Sequence, residues 1–150
     1  MSYATLDELK QRLGTDIYGQ LTDRVNGEVA DDDVGNAILD GAHGTINGFV
    51  ARRFLVPVDV STDTSLAQFL RKHTLNVAEY DAWAEWPFRS EINERVKFNY
   101  QETIRVFRDI AAGKAELPGA AAIPSATVAG PTAIAIGEAR IFTKDSMKGL

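Results

Sequence analysis

The side chains able to do chemistry are unevenly spread in this chain. Acids are bunched in TDRVNGEVADDD at residues 22–33, two histidines stand apart at positions 43 and 73, and cysteine is absent. The acidic stretch has the oxygen ligands of a calcium loop but not their spacing. Counting from Asp23, the third and fifth positions are Val25 and Gly27. The sixth, which needs glycine, is Glu28, and the twelfth is Val34 where a bidentate glutamate belongs. The stretch reads as a solvated loop. His43 and His73 each lack a second histidine or a cysteine at metal-ligand spacing. Both read as structural, His73 on an apolar stripe and His43 at a face boundary. Asp31-Asp32-Asp33 and the Glu91/Glu94 pair fall at helix starts, where the macrodipole and solvation account for them without acid–base catalysis. No dinucleotide fingerprint, phosphate loop, nucleophile elbow or zincin pattern occurs. The sequence therefore assigns no catalytic residue, no metal ligand and no cofactor, and the chain reads as a non-enzyme.

Those residues must be carried by some scaffold, and composition bounds it. With 150 residues, 45% of them apolar and 25% charged, there is room for one domain with a real core. The net charge of -5 and the dispersed Lys and Arg disfavour phosphate-neutralising contacts with nucleic acid. Without cysteine there is no disulfide framework, which fits a reducing compartment. The start, MSYATLDELK, lacks a basic-then-apolar leader, and no stretch approaches the roughly 20 apolar residues of a membrane span. A soluble protein made inside a cell is expected.

Apolar spacing predicts a mainly α fold. Thr5 and Glu8 form a capping-box pattern, and Leu6, Leu9 and Leu13 share a face that ends at Gly14. Residues 14–33 are expected to be loop. A second helix is predicted from Asp33 to Phe54, with Val34, Ile38, Ala42, Ile46 and Phe49 on one side. After the break at Pro57, a third helix is capped by Thr64 or Ser65, runs to about Glu85 and buries Leu66, Phe69, Leu70, His73, Val77 and Tyr80. A fourth, capped by Ser90, buries Ile92, Val96, Tyr100, Ile104, Phe107 and Ile110 or Ala111, and stops at Gly113. The expected architecture is a small four-helix bundle over residues 1–113, followed by an Ala/Gly/Pro-rich tether and C-terminal arm over 114–150. Within the arm, TAIAIGEARIF alternates well enough for a short strand, with Ile134 and Ile136 on one side and Ile141 in phase if Gly137 forms a bulge. Such a strand needs a partner for its edge.

Three groups of residues invite a contact reading. Gly35, Gly41, Gly44 and Gly48 lie inside the second helix, where each glycine costs about 0.5–1 kcal/mol relative to alanine unless the missing side chain is used. Either close packing within the monomer or contact with a neighbouring subunit would use it. Trp83, Trp86 and Phe88, with Tyr80, concentrate at a helix corner and suit a core or an interface. Arg89, Arg95, Arg105 and Arg108 read as a solvated face, with Arg95 to Arg105 able to line a channel in a ring.

Taken in order, YATLDELKQRLG, QLTDR with its acidic turn, ILDGAHGTINGFVARRFLVPV, RVFRDIAAGKAEL and RIFTKDSMKGL resemble the small neck protein of Mu-like phages and prophages, the gene product 36 family. The resemblance spans almost the whole chain, and residues 46–58 and 140–147 are its most specific stretches. It implies a head-tail connector, or adaptor: a virion protein made in the host cytoplasm, repeated as a ring beneath the portal, a dodecamer by the family's portal symmetry. Gly41, Gly44, Gly48, Trp83, Trp86 and Phe88 are then candidate subunit contacts. The C-terminal arm would dock on the portal or on neighbouring subunits, with Ile141, Phe142 and Met147 filling pockets while Arg140, Lys144 and Asp145 set its register, and with Thr143 in the same partner-binding stretch. Implied partners are further copies of the chain, the portal, neighbouring neck or tail proteins, and DNA passing through the lumen without specific binding; no membrane is implied. The acidic balance suits a lumen that does not grip phosphate. The family's acid-rich loop is replaced here by VNGEVADDD, so no ion-binding role is carried over. The alternative is another neck or tail subunit, a stopper or tail terminator, without direct portal contact.

Overall fold

A computed structural model describes residues 2–86 and 91–120. Helix α1 (Leu6–Leu13) starts at the capping box: the Glu8 N–H donates to Thr5 Oγ1 at 3.3 Å, and the Thr5 N–H donates to Glu8 Oε2 at 2.9 Å. A single residue, Gly14 at φ 82°, ends α1 and begins α2 (Thr15–Thr22). That corner needs a positive φ, which only glycine adopts without a steric penalty. Helix α2 lies in the stretch expected to be loop, so the mainly α bundle has five helices in its described residues rather than four. Tertiary burial explains the difference. Threonine, aspartate and glycine make the segment a poor helix by propensity, but Tyr18, Leu21 and Thr22 fall three and four apart and are 1–2% exposed.

Helix α3 (Asp32–Val50) is capped by Asp31, whose Oδ1 accepts from the Asp33 and Val34 N–H groups. It ends four residues before the expected Phe54. The Arg53 and Phe54 N–H groups both turn back onto the Val50 carbonyl at 3.0 Å, which drops Phe54 into the core from a turn. Helix α4 (Thr64–Glu85) is capped by Asp63 rather than Thr64 or Ser65, through Oδ1 to the Ser65 and Leu66 N–H groups. Helix α5 (Glu94–Ala111) is capped by Asn93; Ser90, the expected cap, lies outside the described residues.

Helices α3 and α4 each touch all the other helices and form the middle of the bundle. Their buried faces follow the expected stripes: Ile38, Ala42 and Ile46 on α3, and Leu66, Leu70 and Val77 on α4, join Phe107 and Ile110 of α5 in one core, and Val96 of α5 is buried as well. The N-terminal segment is pinned by Tyr3, whose hydroxyl donates to Asn47 Oδ1 at 2.7 Å and accepts from the Val58 N–H at 2.8 Å. Beyond Gly113 the chain stays on the body through residue 120. Arg53 donates to the Ile110 and Ala115 carbonyls, and Leu117 is 3% exposed.

A row of polar side chains crosses this apolar interior. Glu79, 3% exposed, takes Arg12 Nε from α1 at 2.6 Å and Arg95 Nη2 from α5 at 3.3 Å. Arg12 also donates to Asn76 Oδ1, Asn76 Nδ2 donates to Thr103 Oγ1, and Thr103 meets His73 Nδ1 at 2.9 Å. A buried carboxylate is tolerable only when paired. Glu79→Gln is therefore expected to cost about 3 kcal/mol, by leaving Arg12 without its counter-charge. Arg95→Ala, at a side chain 73% exposed, should cost under about 1 kcal/mol; urea denaturation of both variants checks the contrast.

Two titratable groups, His73 of the polar row and the half-buried Asp81, make stability depend on pH with opposite signs. Burial, with Lys72 nearby, lowers His73 from 6.5 to about 4. The unfolded chain accepts a proton that the folded one refuses, so this contribution is present above pH 6.5 and lost as pH falls toward 4. His43, lowered by burial, acts in the same sense. Burial, with Glu85 nearby, raises Asp81 from 3.8 to about 6. The folded chain then holds the proton the unfolded one releases, and stability gains as pH falls from 6 toward 4. In thermal melts across this range, His73→Gln should lose less stability on acidification than the parent. Asp81→Asn should melt higher at neutral pH and lose the acid-side gain.

Candidate interaction surfaces

The glycines of α3 divide into two groups. Gly35 is buried, and a Cβ there would collide with the Tyr18 hydroxyl and meet Leu6 Cδ1 at 2.9 Å. Packing within the monomer is its use. Gly41, Gly44 and Gly48 are exposed, and a Cβ at any of them would meet nothing within 4 Å. Among the described residues nothing packs closely on these three, which form one row along the outer side of α3 at steps of three and four.

The aromatic corner belongs partly to the core. Trp83 and Trp86 are half-buried against it and meet edge-to-face at 6.3 Å, while Tyr80 stacks on Tyr100 at 4.0 Å. Trp83 walls a cavity of about 130 Å³ together with Arg12, Ile17, Glu79 and Arg95. Arg95, expected on a solvated face or a channel wall, thus has its head on Glu79. Arg105 pairs with Glu102 one turn away, at 2.6 Å. Phe88 and Arg89 lie outside the described residues, as do Arg140, Ile141, Phe142, Thr143, Lys144, Asp145 and Met147.

The loop at 23–31 is solvated as expected, but it is built. Both oxygens of Asp23 collect backbone donors: Oδ1 takes the Val25 and Asn26 N–H groups, and Oδ2 takes those of Glu28 and Val29, all at 2.9–3.1 Å. Four such bonds hold its carboxyl well below the usual carboxylate range. Thr22 closes the other side, its hydroxyl donating to the Tyr18 carbonyl and accepting from the Asp31 N–H. Asp32 pairs with Lys10 at 2.8 Å and accepts from the Tyr18 hydroxyl. Among the described residues no group of His, Asp or Glu is arranged to hold a metal ion. The loop turns Val25 and Val29 to solvent. Beyond the other end of α3, Leu55 and Val56 are exposed beside a groove of about 390 Å³ lined by Phe54, Leu55, Pro57 and Val58 with the polar Asp59 and Thr62. Periodicity could not single out these four residues, because none sits in a helix. The one available signal was apolar side chains among turn formers.

Open space at the glycine row has a measurable consequence. Gly41→Ala, Gly44→Ala and Gly48→Ala should each raise the monomer's stability by about 0.5–1 kcal/mol through helix propensity alone. Gly35→Ala should lower it by about 1–3 kcal/mol through overpacking against Tyr18. Chemical denaturation of the four variants at low protein concentration separates the two groups.

No helix among the described residues is long and apolar enough to cross a membrane. Comparison with curated proteins returns no match. Residues 3–135 match the protein family described as Bacteriophage Mu, Gp36, a stretch that contains all five helices and ends before Arg140. The chain therefore belongs to the bacteriophage Mu Gp36 family and is a phage structural protein.

Proposed function

We propose that this protein is a head-tail connector, an adaptor subunit that forms an oligomeric ring below the portal of a tailed phage. Its place would be the virion, at the head-tail junction, and its role non-enzymatic. Beyond the family, the observation that carries a multi-subunit role is the row of Gly41, Gly44 and Gly48. These residues cost helix stability, and a Cβ on any of them would meet nothing within 4 Å among the described residues; a neighbour whose backbone comes close would use them. The half-buried Trp83 and Trp86 are suited to serve the same contact. The helical domain would form the body of the ring, and DNA would pass through the lumen without specific binding. Residues 140–147 would dock on the portal or on a neighbouring subunit, with Ile141, Phe142 and Met147 as anchors. Ordering that arm on binding costs entropy that the anchors must exceed.

The test is the absolute mass, by light scattering after size exclusion, of the chain alone and mixed with its cognate portal. It is run on the full chain and on a version ending before Arg140. The expected result is a large complex with the portal for the full chain and none for the shortened one. If neither version joins the portal, the portal contact is wrong and a stopper or tail terminator becomes the better assignment.

A further inference from the structure

The groove that follows α3 combines apolar walls with acid. Phe54 and Val58 are buried in it, Leu55 lines it while 73% exposed, and Asp59 and Thr62 stand among them. Gly119 and Ala120 complete the lining. A Cβ on Gly119 would collide with Asp63 Oδ2, so a second carboxylate stands at that edge; Asp63 caps α4 through its other oxygen. Ser61, through its hydroxyl and its N–H, keeps the Asp59 carboxyl below the usual carboxylate range. Neither acid has an ion-pair partner among the described residues. Among those residues no Lys, Arg or His lines the groove. Arg53, whose guanidinium lies 5.6 Å from the Phe54 ring centroid, is committed to Glu116 and to the Ile110 and Ala115 carbonyls. An occupant that fits this recess is apolar and basic together.

We propose that in the free subunit this groove is the seat of the chain's own residues 140–144, RIFTK. Seated extended, Arg140, Phe142 and Lys144 share one side, as alternate residues do, with the two cations about 13 Å apart and the aromatic between them. Phe142 then lies against Phe54, Leu55 and Val58, and Arg140 and Lys144 answer Asp59 and Asp63. Within residues 121–150 only this stretch sets an aromatic beside cations. Phe142 is the sole aromatic there, and residues 140–144 hold two cations and no acid. The occupant is this chain's own arm because the arm's path starts at the groove, where Gly119 and Ala120 are lining residues. The 19 residues from 121 to 139 reach up to about 65 Å, so the return is open, and closing such a loop costs only slightly more than closing a shorter one. A tethered segment meets its site at millimolar effective concentration, above what a second copy offers in dilute solution. The inference deepens the connector reading and rests on it for its use: anchors proposed to dock on the portal or on a neighbour are sheltered on their own subunit until that docking takes them.

Zero-length coupling tests this on the full chain, at micromolar concentration and without the portal. A carbodiimide joins a lysine amine to a carboxylate only where the two touch, and the linkages are mapped by mass spectrometry on an equal mixture of light and heavy-isotope chains. The expected product joins Lys144 to Asp59 or Asp63 within one chain. Phe142→Ser should lower its yield about tenfold, through the loss of one seated aromatic, and thermal melts confirm that the variant's body folds. Lys144 coupled to neither acid overturns the proposal, and so does a folded Phe142→Ser variant that couples like the parent. Products in which light and heavy chains are joined at this contact also overturn it, and give the groove to a neighbour's arm. None of these results bears on the mixture with the portal, so the connector role is judged separately.

Discussion

Glu79 sits on α4 almost entirely out of water, and two other helices answer its charge. Arg12 comes from α1 and Arg95 from α5, and Asn76 carries the hydrogen bonding on to Thr103 and His73. Apolar contacts between helices are non-directional and tolerate sliding. A carboxylate in a dry interior does not, because a small displacement of Arg12 would leave a charge unmatched. The polar row thus ties the registers of α1, α4 and α5 to one another, and the apolar stripes fill the space around it. The cavity beside Trp83 lies over this row, so the aromatic corner inherits its geometry from the same ion pair.

Much of this was legible in the sequence, and the rest was hidden for physical reasons. The Thr5/Glu8 box and the stripes of α3, α4 and α5 are local patterns that tertiary structure has no reason to override. Helix α2 was not legible, since its glycine, threonine and aspartate disfavour a helix until Tyr18 and Leu21 find the core. Asp23 escaped notice as an organiser because its partners are backbone N–H groups, which every loop possesses. The glycine row was visible but ambiguous. Four glycines in one helix signal a use, and only coordinates separate Gly35, pressed on Tyr18, from the three that face outward. The polar row was half visible: His73, Asn76 and Glu79 recur every three residues, yet nothing in the order of residues says that Arg12 lies across from them.

The body presents surfaces of different kinds on different sides. One side of α3 is smooth where Gly41, Gly44 and Gly48 expose backbone, the loop before the helix exposes Val25 and Val29, the turn after it exposes Leu55 and Val56 beside a groove, and Ala120 lies at that groove. A subunit built to meet several neighbours at once needs such separation, because contacts that shared one surface would compete. Membership in a phage structural family and this distribution of surfaces are mutually consistent.

The Asp23 loop has a consequence for how such a surface changes over evolutionary time. Its backbone path is stored in two side chains, Asp23 and Thr22, which grip N–H groups that any residue other than proline would supply. Val25, Asn26, Glu28 and Val29 are thereby released from specifying the path that they decorate. Those positions can drift in size and charge while the loop keeps its outline, so the outer chemistry of the loop can change without paying for a new fold.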